Sequence, residues 1–110
     1  MASLRTLYAQ AALAVAAALL LVASAAAAQQ PEVHAKDNAY QPESLTVAAG
    51  STVRFVNDDA DIHTFTAKNG TFDSNLLFQG QTWQYVFNNA GTYEYFCLPH
   101  PWMVGTITVQ

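Results

Sequence analysis

Cys97, His100 and Met103 stand three residues apart in the stretch YFCLPHPWM, and Cys97 is the only cysteine of the chain. A thiol, an imidazole and a thioether are soft or borderline donors, a set that suits copper better than calcium or magnesium. Pro99 and Pro101 restrict the loop and remove two backbone donors, which holds His100 and Met103 on a tight arc turned back toward the cysteine. Three donors leave room for a fourth, and His34 and His63 are the candidates. His63 is preferred, because it opens the alternating stretch HTFTA after a polar turn and can sit at the same rim.

Each of these residues also has a plainer reading. A lone thiol is among the most buried of side chains, and methionine is common core filling. The shared spacing argues against both, and Met103 is the only methionine apart from Met1. Trp102 is divided between sandwich packing and surface docking. Tyr93, in AGTYEY, reads as a structural tyrosine at a strand corner, and His34 as a solvent-facing strand histidine. Asp58, Asp59 and Asp61 read as a solvated turn, with electrostatic steering as the functional alternative.

The elements that must position these donors are short and β-like. SLTV and STVRFVN flank a turn at Gly50, and Val53, Phe55 and Asn57 alternate with Thr52, Arg54 and Val56. In QTWQYVFNNAGTYEYFC, Trp83, Tyr85 and Phe87 share one face; after the NNAG turn, Tyr93, Tyr95 and Cys97 share another. VGTITV closes the chain, and residues 70–81 read as a loop crossing between sheets. Seven to eight strands at this spacing predict an all-β, antiparallel-rich sandwich.

The N-terminus is of another kind. Arg5, an apolar run from Ala11 to Val22 and an alanine-rich stretch follow the order of a secretory signal peptide. Ala26 and Ala28 place cleavage after Ala28, with Ala25 as the alternative site and an uncleaved anchor over residues 11–28 as the rival reading. No Arg-Arg pair precedes the apolar run, so export follows the general route and the mature domain, residues 29–110, is expected in the periplasm. Its 82 residues allow a single domain with a marginal core. A staple would help it, and one cysteine cannot form an internal disulfide. Three cations against eight carboxylates give the mature part a net charge of −5. Nucleic acid is therefore excluded as a natural partner, and a basic protein surface is favoured.

The pattern Asn57, His63, Cys97-x-x-His100-x-x-Met103, with AGTYEYFCLPHPWMVGTITV at the C-terminus, resembles the cupredoxins, the type 1 blue-copper family. Within that family the three-residue step from His100 to Met103 is most similar to the amicyanin branch, whereas plastocyanin and pseudoazurin carry a longer gap. The resemblance covers nearly all of the mature chain and implies a Greek-key sandwich. It also implies one copper ion held by His63, Cys97 and His100 in a near-trigonal set, with Met103 as a long axial ligand. The implied function is one-electron carriage, with His100 as the exit through a patch of Leu98, Pro99, Pro101 and Trp102. The amicyanin likeness suggests an amine dehydrogenase and a c-type cytochrome as redox partners of a monomer. One position departs from the pattern: Thr64 stands where the family commonly has asparagine after the first histidine.

Two other function classes compete. A copper carrier or store would use the same ligands without redox turnover, but such proteins more often add Met- or His-rich tracts, and the mature part has none. An enzyme with Cys97 as nucleophile and His100 or His63 as base needs an oxyanion site and a third orienting group, for which the sequence carries no signal.

Overall fold

The computed structural model describes residues 30–110. The leader assigned to residues 1–28 therefore lies outside the described residues. Eight strands follow in chain order: β1 (Glu32–Lys36), β2 (Ala39–Gln41), β3 (Ser44–Val47), β4 (Ser51–Asn57), β5 (Thr66–Ala67), β6 (Thr82–Phe87), β7 (Gly91–Phe96) and β8 (Val104–Val109). They form two four-stranded sheets, ordered β2-β1-β4-β6 and β3-β8-β7-β5. The pairs β1·β4 and β3·β8 are parallel and the others antiparallel. The expected all-β, antiparallel-rich sandwich is thus the observed fold, with the chain crossing between layers after each of β2, β3, β4, β5 and β6.

Alternation builds the core. Val33 and Ala35 of β1, Val53 and Phe55 of β4, Tyr95 of β7, and Ile107 and Val109 of β8 all point between the sheets and are buried. Phe55 lies at the centre, its ring centroid 4.8 Å from Phe65 and 5.5 Å from Trp83. Tyr95 packs 4.7 Å from Tyr40. Burying such side chains contributes about 1.5–3 kcal/mol each. Tyr95 is in register with Gly105 of β8, and a Cβ on Gly105 would fall 2.4 Å from the Tyr95 ring. The glycine is what lets the tyrosine lie across the neighbouring strand. At the opposite corner the Tyr93 hydroxyl donates to the Asn89 carbonyl at 2.7 Å, the structural role expected of it.

The segment HTFTA departs from the alternation expected of it. His63, Thr64 and Phe65 are all buried, and regular strand is confined to Thr66–Ala67. The chain is enclosed on both sides here, so a two-residue period has no solvent face to report. Residues 70–81 run from β5 in one sheet to β6 in the other, as expected of a crossing loop. That loop pairs with His63: His63 N–H donates to the Leu77 carbonyl at 3.2 Å, and Leu77 N–H to the His63 carbonyl at 2.8 Å.

Asn57, at the end of β4, locks these connections. Its side-chain amide donates to the carbonyls of Asp61 and Leu77, both at 2.8 Å, and its Oδ1 accepts the Asp59 N–H at 2.9 Å. A fully buried amide with both donors used is a strong local constraint. It sets the path of the 57–61 turn, and with it the approach of His63 to the rim.

Candidate metal centre

Cys97 follows β7 directly, so the strand delivers its side chain inward at one end of the sandwich. The loop then closes on itself: Met103 N–H donates to the His100 carbonyl at 2.9 Å, and Cys97 N–H to the Met103 carbonyl at 3.2 Å. His63 arrives from the segment between β4 and β5. The result brings His63, Cys97 and His100 together, with their ligand atoms all within 4.8 Å of one another.

The two imidazoles address the sulfur in the same way. Nδ1 of His63 and Nδ1 of His100 each lie 3.6 Å from Cys97 Sγ. Metal bonds of about 2.3 Å to sulfur and about 2.0 Å to nitrogen, meeting at roughly a tetrahedral angle, span that separation. The donor chemistry and the spacing therefore fit a bound soft or borderline metal ion. Met103 is buried at the same rim, within the hydrophobic core cluster. His34 is not one of the grouped donors: it sits on β1, held by Glu32 and Asp58.

Thr64, at the position where the family commonly has asparagine, ties the ligand loop to the His63 segment. Its backbone N–H points at Cys97 Sγ at 3.4 Å. Its Oγ1 accepts the Leu98 N–H at 2.9 Å and is 2.8 Å from Thr66 Oγ1, which donates to Asp73 at 3.1 Å. Because Asp73 only accepts, the chain of donors runs from Leu98 through both threonines to the carboxylate. A hydroxyl thus links the ligand loop to the His63 segment.

Two residues of the surroundings escaped the sequence reading. Asp59, taken there as part of a solvated turn, contacts His63: its Oδ2 is 2.8 Å from His63 Nε2, and only 16% of its side chain is exposed. Desolvation pushes the Asp59 carboxyl up, but hydrogen bonds from Asn38 N–H, His63 and Asp37 N–H outweigh it and leave the pKa below the ordinary value. Acidic residues four positions before a histidine are common, so only a folded loop could distinguish this one. Tyr40, buried on β2, donates its hydroxyl to the Thr64 carbonyl at 2.5 Å. Burial, with Cys97 close by, pushes its phenol well above the ordinary value, so it remains a donor.

Burial also sets the direction of access. His63 and Cys97 are fully buried and Met103 nearly so, whereas His100 is partly exposed. Around it Leu98 and Trp102 are 51% and 69% exposed, and Trp102 stands edge-on to the His100 ring at 5.3 Å. Trp102 is therefore a surface side chain and not sandwich packing.

The family model described as a cupredoxin-like domain matches residues 9–109. The chain belongs to the cupredoxin-like family. Amicyanin from Paracoccus versutus is 36% identical to this cupredoxin over 76 residues, covering 64% of the chain. The chain spans 58% of that relative's length. The solved structure of a reduced tryptophan-to-tyrosine variant of amicyanin superposes with a TM-score of 0.70 at 29% identity, covering 78% of this cupredoxin and 89% of the amicyanin chain. A copper-containing nitrite reductase from Thermus scotoductus also matches, with a TM-score of 0.70 at 27% identity. That match covers 74% of this chain and 22% of the reductase.

Proposed function

We propose that this cupredoxin is a periplasmic blue-copper electron carrier whose single copper would be held by His63, Cys97, His100 and Met103. The observation that carries the reading is the group of three ligand atoms within 4.8 Å, built around a fully buried thiol. Copper supplies one-electron exchange between Cu(II) and Cu(I) there, and the protein supplies the rest. The Thr64 N–H stabilises negative charge on the Cys97 sulfur. The buried walls exclude water, and the loop bonds around Met103 hold the donors in place.

His100 is the proposed outlet, since it alone of the ligands reaches solvent, through the apolar ring of Leu98, Pro99, Pro101 and Trp102. Redox proteins are the proposed partners, an amine dehydrogenase and a c-type cytochrome among them, on the strength of the amicyanin likeness. We place the boundary of the mature monomeric domain after residue 28, and assign no catalysis to the domain. Copper storage uses the same ligands, but a near-rigid donor set closed by backbone bonds favours redox cycling over release.

The test is the visible spectrum of the purified domain after one equivalent of Cu(II). An intense blue band that bleaches on reduction and is absent in Cys97→Ala supports the carrier. A colourless protein that binds only Cu(I) moves the assignment to storage.

A further inference from the structure

The turn between β1 and β2 lies on the other side of His63 from the cysteine, and its backbone is unusual. Asp37 and Asn38 have φ of 54° and 55°, the paired left-handed conformation of a two-residue hairpin turn. That conformation aims two successive N–H groups outward at one point. Asp37 N–H donates to Asp59 Oδ1 at 2.8 Å and Asn38 N–H to Asp59 Oδ2 at 3.0 Å. A third bond restrains the same residue from its own backbone, since Asp59 N–H donates to Asn57 Oδ1. The carboxylate is held by two backbone N–H groups and its own backbone by Asn57, and its Oδ2 faces His63 Nε2 at 2.8 Å.

A carboxylate can only accept, so Nε2 of His63 carries the proton. In the neutral imidazole, the form that binds a metal, the other ring nitrogen, Nδ1, is then bare, and it is the atom turned toward Cys97 Sγ. We infer that Asp59 is a positioning residue for the metal centre: it selects the His63 tautomer and ring orientation that leave Nδ1 free to bind, and places a negative charge one imidazole away from the metal. The hairpin turn at Asp37 and Asn38 is part of the same device, although it is more than 20 residues away in sequence. This rests on the copper reading for its electrochemical consequence and on geometry alone for the tautomer.

The charge stabilises Cu(II) more than Cu(I). Partners behind a metal-bound histidine change metal affinity by about 10–100-fold. Asp59→Asn keeps the shape and removes the charge, and should reduce the preference for Cu(II) by about tenfold. For one electron, that is about 59 mV upward in reduction potential. Asp61→Asn is the control: it removes an equal charge from an exposed residue two positions from His63, whose side chain makes no bond to the ring.

The experiment pairs cyclic voltammetry of the copper-loaded protein with nitrogen-15 NMR of His63 in the metal-free protein, for wild type, Asp59→Asn, Asp59→Ala and Asp61→Asn. The inference predicts an Nε2–H tautomer in wild type, its loss in Asp59→Ala, and a potential shift in Asp59→Asn well above that in Asp61→Asn. Equal shifts in the two asparagine variants, or an unchanged His63 tautomer in Asp59→Ala, overturn it. A wild-type protein that fails to turn blue with Cu(II) would sink the copper reading instead, and the metal-free NMR result would still decide the role of Asp59.

Discussion

Replacing Asn57 by leucine probes the joint on which the rim is built. The two side chains branch alike at Cγ, so the change removes the hydrogen bonds without opening a cavity, and the bulkier leucine adds an overpacking cost of its own. Three bonds disappear: two donated to the Asp61 and Leu77 carbonyls and one accepted from Asp59 N–H. Their net worth is about 0.5–1.5 kcal/mol each. The Leu77 carbonyl keeps its bond from His63 N–H, and the carbonyl of exposed Asp61 regains water, so the full penalty of an orphaned buried group does not apply at every site. The expected loss is about 3 kcal/mol. For a domain of this size each kcal/mol moves Tm by about 4–8 °C, so Tm should fall by about 12–24 °C. Urea denaturation of the metal-free domain measures it, with the midpoint falling and the m-value constant. A loss below about 1 kcal/mol would refute the assignment of Asn57 as the lock of the 57–61 turn.

Gly105→Ala places a methyl 2.4 Å from the fully buried Tyr95 ring; overpacking of this kind costs about 1–3 kcal/mol, and urea midpoints should show the upper end, whereas an unchanged midpoint would mean the strand pair can spread. Thr64→Val removes the acceptor of the Leu98 N–H while keeping size; amide exchange at Leu98 should speed up by tenfold or more, about 1.4 kcal/mol, and unchanged protection would contradict the threonine relay. His34 supplies a pH dependence. Burial pulls its pKa down, but hydrogen bonds and charge from Glu32 and Asp58 outweigh this and raise it above 6.5. Its stabilising contribution is therefore complete below about pH 6.5 and lost as pH rises through the folded value. With the side chain 35% exposed the effect is limited to about 1 kcal/mol, and His34→Asn should remove it from the difference in urea midpoint between about pH 5.5 and about pH 8.5.

Much of the fold was legible because most strands have one buried face. In β4 as far as Phe55, and along β7, the alternation of inward and outward side chains survives folding, so Phe55, Tyr95 and Cys97 could be placed inward from the sequence. It failed over residues 63–65, where both faces are enclosed and the periodic signal has nothing to contrast with. The donors Cys97 and His100 were readable because three residues of one proline-bounded loop keep them together whatever the rest of the chain does.

The sequence by itself determined the donor types, their short-range spacing, and hence which metals the site suits. It also determined that one cysteine could not staple the domain. Only the tertiary structure decided how His63 is aimed, because its three controls come from separate parts of the chain. The crossing loop pairs with its backbone, Asp59 meets Nε2, and a left-handed turn on β1–β2 holds Asp59. Hydrogen bonds that join His63 to Leu77, or Asp59 to Asp37 and Asn38, close over long stretches of chain and leave no period or motif in one sequence. Residue type decides what chemistry is possible; the closing of distant segments decides which atom of each residue is offered to it.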